Sequence, residues 1–456
     1  MNAPEPARQL GTRLMMPRSE PPADHRAPAA TGHGGRPDGG RGQPAASSHR
    51  LRWWCRVAGV AGRAAAAASR RAGLGDGAII GGRIALALAP SALAHMADGR
   101  RVVLVSGTNG KTTTAHLLAA ALRTAGPVAH NETGANMPDG ALAALLARPD
   151  APLAVLEVDE LYLADVAAQV DPEVIVLLNL SRDQLDRGSE VRRVASSIAA
   201  AIAAHPRATV VANADDPMVV WAVETAARCV WVSAGGRWTG DAAGCPRCGR
   251  TLRRDGADGG AWGCRCGLRR PVASWAPSGA DAANGDRRIP LGMRLPGSYN
   301  RSNAVAAVAA ATLLDIDPHH AAAAMAQVSE VAGRYAVLPH RGRATRLLLA
   351  KNPAGWTETL ELLDTTRPLL LVVNAREADG RDTSWLWDVP FENLAPRPVV
   401  AAGERAADLG VRLTYAGIDH RTVVDPVTGL TLLPAGEVDV VANYSAFHLL
   451  LRRFTS

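Results

Sequence analysis

A polar loop framed by glycines is the stretch of this sequence whose residue types point most directly to chemistry. Residues 101–125 read RVVLVSGTNGKTTTAHLLAAALRTA. The apolar run 102–105 predicts a buried strand, and the residues from Lys111 onward predict a helix. Gly107 and Gly110 let the backbone turn and approach a ligand, and the free N–H groups at a helix start favour an anion. The stretch therefore predicts a phosphate-binding loop.

Each polar residue of this loop has an expected role. Lys111 is expected to reach the terminal phosphates of a nucleotide, and Thr112 to hold Mg²⁺. The strict pattern has a glycine where Val105 stands, so this is the shorter GTNGKTTT variant. The expected nucleotide-binding residues are Gly107, Thr108, Asn109, Gly110, Lys111, Thr112 and Thr113.

Lysine is rare in this chain, which makes its positions informative. It occurs at 111 and 351 only, although lysine and arginine together number 50. A compact ammonium on a flexible stem can do what a planar guanidinium cannot. Lys351 is therefore a second candidate site residue, with chance retention of a surface lysine as the alternative.

Further apolar runs follow the loop at 153–158, 174–180, 209–214 and 229–233, separated by helical stretches. This alternation predicts an α/β fold with a parallel sheet wrapped by helices. Ligands bind at the carboxyl ends of such strands, where Glu157 and Asp159 fall, together with Asn179 and Asn213. One of the two carboxylates is expected to bind Mg²⁺, with a helix cap as the alternative.

Four cysteines have the spacing of a metal site. Cys245, Cys248, Cys264 and Cys266 occur as CPRCG and CRCG. Four thiolates with no open position indicate a structural Zn²⁺, and a reducing compartment disfavours disulfides. We expect a small zinc-ribbon insertion at about 236–285.

Composition suggests how the chain is divided. Residues 1–50 are predicted to be a disordered leader, 51–325 a central domain that contains the ribbon, and 333–456 a smaller C-terminal α/β domain. The net charge is +7, but residues 1–101 hold 15 arginines against 6 acidic residues, so the remainder is slightly acidic. This distribution argues against a nucleic-acid partner. No stretch reaches the roughly 18 apolar residues of a membrane span, so a cytoplasmic protein is expected.

Two more segments have open interpretations. Asn300 and Asn303 begin an apolar helix, and they either cap it or touch a nucleotide base. The loop 379–388 carries Asp379, Asp382 and Asp388 with two tryptophans. It is either a contact surface or a loop anchor.

Taken together, the motifs resemble the Mur ligase superfamily of ATP-dependent amide-forming enzymes. Within it, the chain is similar to the branch that supplies the synthetase subunit of lipid II isoglutaminyl synthase. The resemblance runs from about residue 51 to the C-terminus. It rests on the cysteine ribbon and on GTNGKTTT at 107–114, HNETGANM at 130–137, EVDE at 157–160, NLSRDQLDR at 179–187, NADDP at 213–217, YNRSNA at 299–304, AKNPAGW at 350–356 and DGRDTSWLWD at 379–388.

Two departures from ordinary Mur ligases fit this branch. Their N-terminal domain, which holds a UDP-linked precursor, has no room before the phosphate loop, as expected for a lipid-linked substrate. Gln184 stands where ordinary members carry a histidine.

The resemblance implies a Mur ligase-like fold and a two-step amidation at the cytoplasmic face of the membrane. ATP would phosphorylate the α-carboxylate of D-glutamate in the lipid II stem peptide, and ammonia would displace the phosphate to leave D-isoglutamine. Thr112 and Glu157 would hold Mg²⁺, and Asn303 would contact adenine. We add Lys351 as a candidate for steadying the acyl phosphate.

The resemblance also implies a partner, a glutamine amidotransferase subunit of the GatD type, because this chain lacks a cysteine nucleophile with a paired histidine. The C-terminal domain would contact it, and Asp382 would complete its Cys-His triad, with Asp388 as the second choice. Two alternatives stay open. One is a stand-alone amino-acid ligase of the folylpolyglutamate synthase kind, and the other is a zinc-ribbon nucleic-acid or scaffold protein.

Overall fold

Two β-sheets organise the protein in the computed structural model, which describes residues 45–72, 78–132, 134–182, 191–234, 243–255, 261–329, 335–340, 342–376 and 379–455. Strands between residues 101 and 290 form a nine-stranded sheet, and strands between 335 and 442 form a six-stranded sheet. The α/β class that the sequence predicted is confirmed.

The first sheet is parallel at its centre. The strands up to residue 290 are β1 (Arg101–Ser106), β2 (Val128–His130), β3 (Leu153–Glu157), β4 (Val174–Leu177), β5 (Thr209–Asn213), β6 (Cys229–Val232), β7 (Arg253–Asp255), β8 (Ala261–Gly263), β9 (Trp275–Ser278), β10 (Asp281–Asn284) and β11 (Arg287–Pro290). The order is β11-β10-β9-β6-β5-β4-β1-β3-β2, with β7 and β8 forming a separate antiparallel hairpin. The four strand predictions after the phosphate loop are confirmed.

The central strands are apolar along their whole length because both faces are covered. In β1, Val102 and Leu104 belong to one hydrophobic core, whereas Val103 and Val105 belong to the other. Side chains alternate across a strand, so a strand buried on both faces reads as a continuous apolar run.

Helices cover both faces of this sheet. They are α1 (Ala45–Arg71), α2 (Ala78–Leu88), α3 (Ala92–Ala97), α4 (Lys111–Leu122), α5 (Pro138–Ala147), α6 (Leu163–Val170), α7 (Val191–Ala204), α8 (Pro217–Ala222), α9 (Ser298–Thr312) and α10 (Pro318–Met325). The alanine-rich α9 is buried against α4 on one face, and the core of the other face takes residues from α1 to α3 and from α5 to α8.

The second sheet repeats this architecture on a smaller scale. Its elements are β12 (Tyr335–His340), β13 (Arg343–Leu349), α11 (Pro353–Leu360), β14 (Leu369–Val372), β15 (Val399–Ala402), α12 (Ala406–Tyr415), β16 (His420–Thr422), α13 (Pro426–Thr431), β17 (Glu437–Ala442) and α14 (Tyr444–Thr455). The order is β12-β13-β17-β14-β15-β16, and only β12 runs antiparallel to its neighbour.

The structure differs from the sequence-based limits at two places. Residues 275–284, which we assigned to the ribbon insertion, form β9 and β10 of the large sheet, where Trp275 and Ala282 are buried. Helix α1 begins at Ala45, inside the predicted leader, and residues 1–44 lie outside the described residues. The domain boundaries otherwise stay a prediction. Within the described ranges, every helix is too short or too polar to cross a bilayer.

Candidate active site

The predicted phosphate loop joins the end of β1 to the start of α4. Gly107 and Gly110 have φ values of 136° and 84°, in the left-handed region that favours glycine. A Cβ added at Gly110 would lie 2.6 Å from Asn303 Oδ1. Both the backbone conformation and the tight packing therefore require glycine at position 110.

Asn179, at the carboxyl end of the β4 segment, holds the loop in place. Its backbone carbonyl accepts a hydrogen bond from Thr108 N at 2.9 Å. Its side-chain Oδ1 accepts one from Asn109 N at 2.8 Å, and its Nδ2 donates to Asn109 O at 3.0 Å. The loop is thus held in one conformation before any ligand binds.

Thr112 and Glu157 come together as a pair of oxygen donors. Thr112 Oγ1 donates to Glu157 Oε1 at 3.0 Å, and the two residues are 2% and 0% exposed. Glu157 is the last residue of β3, and Asn131 brackets its backbone with two hydrogen bonds of 2.8 Å. A hydroxyl beside a carboxylate is a donor set that Mg²⁺ accepts. Asp159 lies beyond the strand and accepts a local hydrogen bond from Leu161 N.

Lys111 makes an ion pair that the sequence analysis did not foresee. Its Nζ lies 3.0 Å from Glu160 Oε2, and the two side chains are 6% and 10% exposed. Burial alone would raise the pKa of Glu160, but the charge and hydrogen bonds of Lys111 outweigh it and lower that pKa. Lys111 Nζ also donates to the carbonyl oxygens of Gly107 and Thr108. The lysine therefore rests on an internal carboxylate at the place where a phosphate would bind.

The second sheet closes the cleft above the phosphate loop. Asn352 exchanges two side-chain hydrogen bonds of 3.2 Å with Asn109 of the loop, and its Oδ1 also accepts from Gly355 N to cap α11. Lys351 lines this cleft together with Thr112 and Asn303, and its Nζ lies 5.2 Å from the centre of the Tyr444 ring. The tertiary structure thus places Lys351 in the cleft that is also lined by Gly110 and Thr112, the two chain neighbours of Lys111.

Glu358 also lines this cleft, on the first turns of α11. Burial, assisted by repulsion from Glu361, raises the pKa of Glu358 to about 7. A carboxyl group with this pKa is present in both its protonated and its ionised form near neutral pH, so it can give or accept a proton. Its position three residues after the glycine of the AKNPAG motif is the only sequence signal that could have suggested it.

Asn303 does not cap its helix. Helix α9 begins after Gly297, and Asn303 lies in its second turn, against Gly110 of the phosphate loop. Asn300 Nδ2 donates to Pro296 O at 2.6 Å. Asn303 therefore lines the cleft, a position that is compatible with its predicted contact to a nucleotide base.

The four cysteines form one compact cluster in the ribbon. Their sulfur atoms lie within 4.8 Å of one another, with Cys245 Sγ to Cys266 Sγ at 3.6 Å and Cys248 Sγ to Cys264 Sγ at 3.5 Å. All four are free cysteines. A hydrogen bond from Leu268 N–H lowers the pKa of Cys266 to about 6. Thiolates around one Zn²⁺ at about 2.3 Å would be about 3.8 Å apart, so the cluster fits that ion.

Comparison with known proteins gives the family. The Mur ligase middle domain family matches residues 105–237, and the MurT ligase C-terminal family matches residues 349–447. The MurT subunit of lipid II isoglutaminyl synthase (glutamine-hydrolyzing) from Streptococcus pneumoniae is 31% identical over 77% of this chain and 85% of its own length. The chain belongs to the MurT family of Mur ligases. Like other members of the MurT family, it is an ATP-dependent ligase.

A second MurT protein agrees with this assignment, and a solved structure agrees with the fold. The MurT subunit from Staphylococcus aureus strain COL is 29% identical over 77% of this chain and 86% of its own length. The structure of a pseudomurein peptide ligase type C from Methanothermus fervidus superposes with a TM-score of 0.62 at 18% identity, covering 78% of this chain and 79% of that one. The predicted Mur ligase-like fold is therefore confirmed.

The MurT C-terminal region holds the loop with the three aspartates. Asp379 is buried and accepts hydrogen bonds from Ser445 and from Arg376 N, so it has a structural role. Asp382 is exposed, and its Oδ1 accepts from Ser384 N at 2.8 Å. Asp388 forms an ion pair with Arg182 at 3.1 Å. Both carboxylates considered for a partner's triad are therefore exposed, and Asp388 is already engaged by an arginine of this chain.

The two tryptophans of this loop have different environments. Trp385 is 8% exposed and packs 5.8 Å from Trp356, as a loop anchor does. Trp387 is 54% exposed and contacts Tyr415, which is 75% exposed. Trp385 therefore fits the interpretation as a loop anchor, and Trp387 fits the interpretation as part of a contact surface. Gln184, noted in the sequence analysis, lies outside the described residues.

Proposed function

We propose that this chain is the synthetase subunit of a lipid II isoglutaminyl synthase in peptidoglycan synthesis, acting at the cytoplasmic face of the membrane. The carboxylate of D-glutamate attacks the γ-phosphorus of ATP, and the bond from phosphorus to ADP breaks. Ammonia then attacks the acyl carbon, phosphate leaves, and a proton is released as the amide forms. The observation that best supports this proposal is that the phosphate loop and Lys351 line one cleft between the two sheets.

The first step needs positioning and positive charge more than covalent chemistry. Lys111 exchanges Glu160 for the nucleotide phosphates, and the N–H groups at the start of α4 point at them. Thr112 and Glu157 are the residues that would hold Mg²⁺, which supplies charge neutralisation when bound. Asn303 lies beside the phosphate loop and is the proposed contact to the adenine end of ATP.

Lys351 is suited to the second step. The C-terminal sheet places it opposite the phosphate loop, and the Asn109–Asn352 pair fixes the backbone next to it. A point charge at this position stabilises an acyl phosphate and the oxyanion that forms when ammonia attacks. The raised pKa of Glu358 fits a residue that receives the proton which the attacking nitrogen loses.

Ammonia would come from a glutamine amidotransferase subunit of the GatD type. Asp382 is the carboxylate that would orient the partner's histidine. An exposed apolar surface of Trp387, Val411 and Tyr415 lies in the same region and provides a contact area. The cysteine cluster, filled by structural Zn²⁺, would stabilise the ribbon without joining the reaction.

The test uses the chain together with its glutaminase partner, lipid II and ATP, supplied with either glutamine or an ammonium salt. ADP release and mass spectrometry of the stem peptide report the reaction. Asp382→Asn is expected to lower glutamine-dependent amidation by about 10³-fold or more while leaving ammonium-dependent amidation intact.

Asp388→Asn is the matched control, and it should retain both activities because Asp388 is paired with Arg182 in this chain. Glutamine-dependent activity that persists in Asp382→Asn would refute the shared triad. Activity with an amino acid in place of ammonia, without the partner, would instead support the stand-alone ligase.

A further inference from the structure

Helices α1 and α2 present apolar side chains to solvent, which is the reverse of an ordinary surface helix. In α1, the buried residues Cys55, Ala58, Gly59, Gly62 and Ser69 recur at helical spacing and form one stripe. The exposed apolar residues lie off this stripe. They are Trp53 (58% exposed), Trp54 (54%) and Val60 (58%) in α1, and Ile79 (43%), Ile80 (42%), Ile84 (36%) and Leu88 (55%) in α2.

The inner faces of both helices are already occupied. A Cβ added at Gly62 would lie 2.6 Å from Gly81 O, and one added at Gly81 would lie 2.6 Å from Gly62 O, so the helix backbones touch. Gly59 packs against Leu146 of α5, and Gly82 packs against the first turn of that helix. The exposed apolar residues therefore face away from the fold, and no other element of the described chain buries them.

The charge of the two helices is entirely positive. Neither helix contains an aspartate or a glutamate, whereas arginine occurs at positions 50, 52, 56, 63, 70, 71 and 83. Arg63 is exposed, and Arg83 donates to Asp139 at 2.8 Å. A helix face that combines arginine with tryptophan and isoleucine and lacks carboxylates has the composition of an interfacial membrane helix.

Another exposed apolar surface, near the C-terminal sheet, has a different charge environment. Trp387, Val411 and Tyr415 lie beside Glu392 and Asp408, which pair with nearby arginines. That mixed charge suits a protein partner, whereas α1 and α2 carry arginines and no carboxylate of their own, a composition complementary to anionic phospholipid headgroups.

We propose that the outer face of α1 and α2 binds peripherally to an anionic bilayer surface, with Trp53, Trp54, Ile79 and Ile80 entering the headgroup region. The face would hold the catalytic cleft near a substrate that is itself anchored in the membrane. That purpose rests on the proposed function, but the binding itself does not. Helix α1 is too polar to span the bilayer, so it would lie in the interface.

The test is co-sedimentation of the full chain with vesicles of phosphatidylcholine, with and without phosphatidylglycerol. The chain is expected to bind the anionic vesicles, to bind the neutral ones at least about tenfold more weakly, and to lose affinity as salt rises. The combined variant Trp53→Ala/Ile79→Ser should lower the partition coefficient by about tenfold or more. Val272→Ser/Val424→Ser removes two apolar side chains that are 89% and 73% exposed elsewhere, and it should bind like the wild type.

The proposal would be overturned if the wild type did not bind the anionic vesicles. It would also be overturned if Trp53→Ala/Ile79→Ser bound them as strongly as Val272→Ser/Val424→Ser. A Trp53→Ala/Ile79→Ser variant that changes oligomeric state or fails to hold the glutaminase would also overturn it, because either result assigns the face to a protein contact. Thermal unfolding of each variant confirms folding. The vesicle assay needs neither ATP nor amidation, so its result is independent of whether the proposed reaction occurs.

Discussion

The ion pair between Lys111 and Glu160 leads to a prediction that separates ground-state stability from nucleotide binding. Glu160→Gln leaves a buried ammonium without its carboxylate, at a site where the lysine is 6% exposed. Opposite charges 3.0 Å apart attract by about 5 kcal/mol at an effective dielectric constant near 20. Glutamine and the carbonyls of Gly107 and Thr108 still accept hydrogen bonds from the lysine. The expected loss in the free energy of unfolding is therefore about 2–3 kcal/mol.

A nucleotide should reverse this loss. In the wild type, Lys111 must exchange the carboxylate of Glu160 for a phosphate when ATP binds, whereas in Glu160→Gln the phosphates do not compete with that carboxylate. Mg²⁺ and a non-hydrolysable ATP analogue should therefore stabilise the variant by about 2 kcal/mol more than the wild type. The measurement is thermal unfolding with and without the analogue, and the unliganded midpoint should fall by about 4–12 °C.

The control is Glu404→Gln, which breaks an ion pair with Arg376 at 2.7 Å whose side chains are 52% and 44% exposed. Its effect should be below about 1 kcal/mol. Because the pKa of Glu160 is lowered in the fold, its contribution is present above its ordinary value of 4.5 and is lost as the pH falls through the folded value. If the analogue stabilises Glu160→Gln no more than the wild type, Lys111 does not exchange Glu160 for phosphate and the reasoning is wrong.

Three further predictions follow from the same structure. Burial raises the pKa of Glu358 to about 7, so the fold keeps a proton that the unfolded chain releases, and stability should fall as the pH rises from about 4.5 to 7. Glu358→Gln should remove this fall, so that at pH 8 its free energy of unfolding, measured with urea, exceeds that of the wild type by about 1–2 kcal/mol. Identical pH profiles of the two proteins would contradict this prediction. Asp439→Ala should destabilise the C-terminal sheet by about 3–5 kcal/mol, since Asp439 is fully buried and accepts two hydrogen bonds from Arg346. A loss below about 1 kcal/mol in urea unfolding would count against this prediction. Cys248→Ser should reduce the zinc content of the purified chain. A chelator should lower the thermal unfolding midpoint of the wild type but not of this variant. Metal analysis that finds no zinc in the wild type would disprove the site.

Patterns confined to a few neighbouring residues were readable without the structure. The apolar run 102–105, bounded by a glycine loop, predicted a buried strand, and the structure buries it on both faces. The cysteine pairs at 245–248 and 264–266 likewise predicted a cluster whose sulfur atoms do come together. Short spacing encodes such features because the backbone geometry within one turn or one strand varies little.

The tertiary structure decided which distant residues meet. Glu160 lies 49 positions from Lys111, and Asn352 lies 243 positions from Asn109, so no periodicity links either pair. The order of the strands places the ends of β1 and β3 side by side, which brings Glu160 to Lys111, and it also takes residues 275–284 into the large sheet. The amino-acid sequence by itself determined the strands, the phosphate loop and the metal-type cysteines. The tertiary structure determined the contacts of Lys111 and Lys351, because hydrogen bonds, ion pairs and ring contacts depend on distance in space and not along the chain.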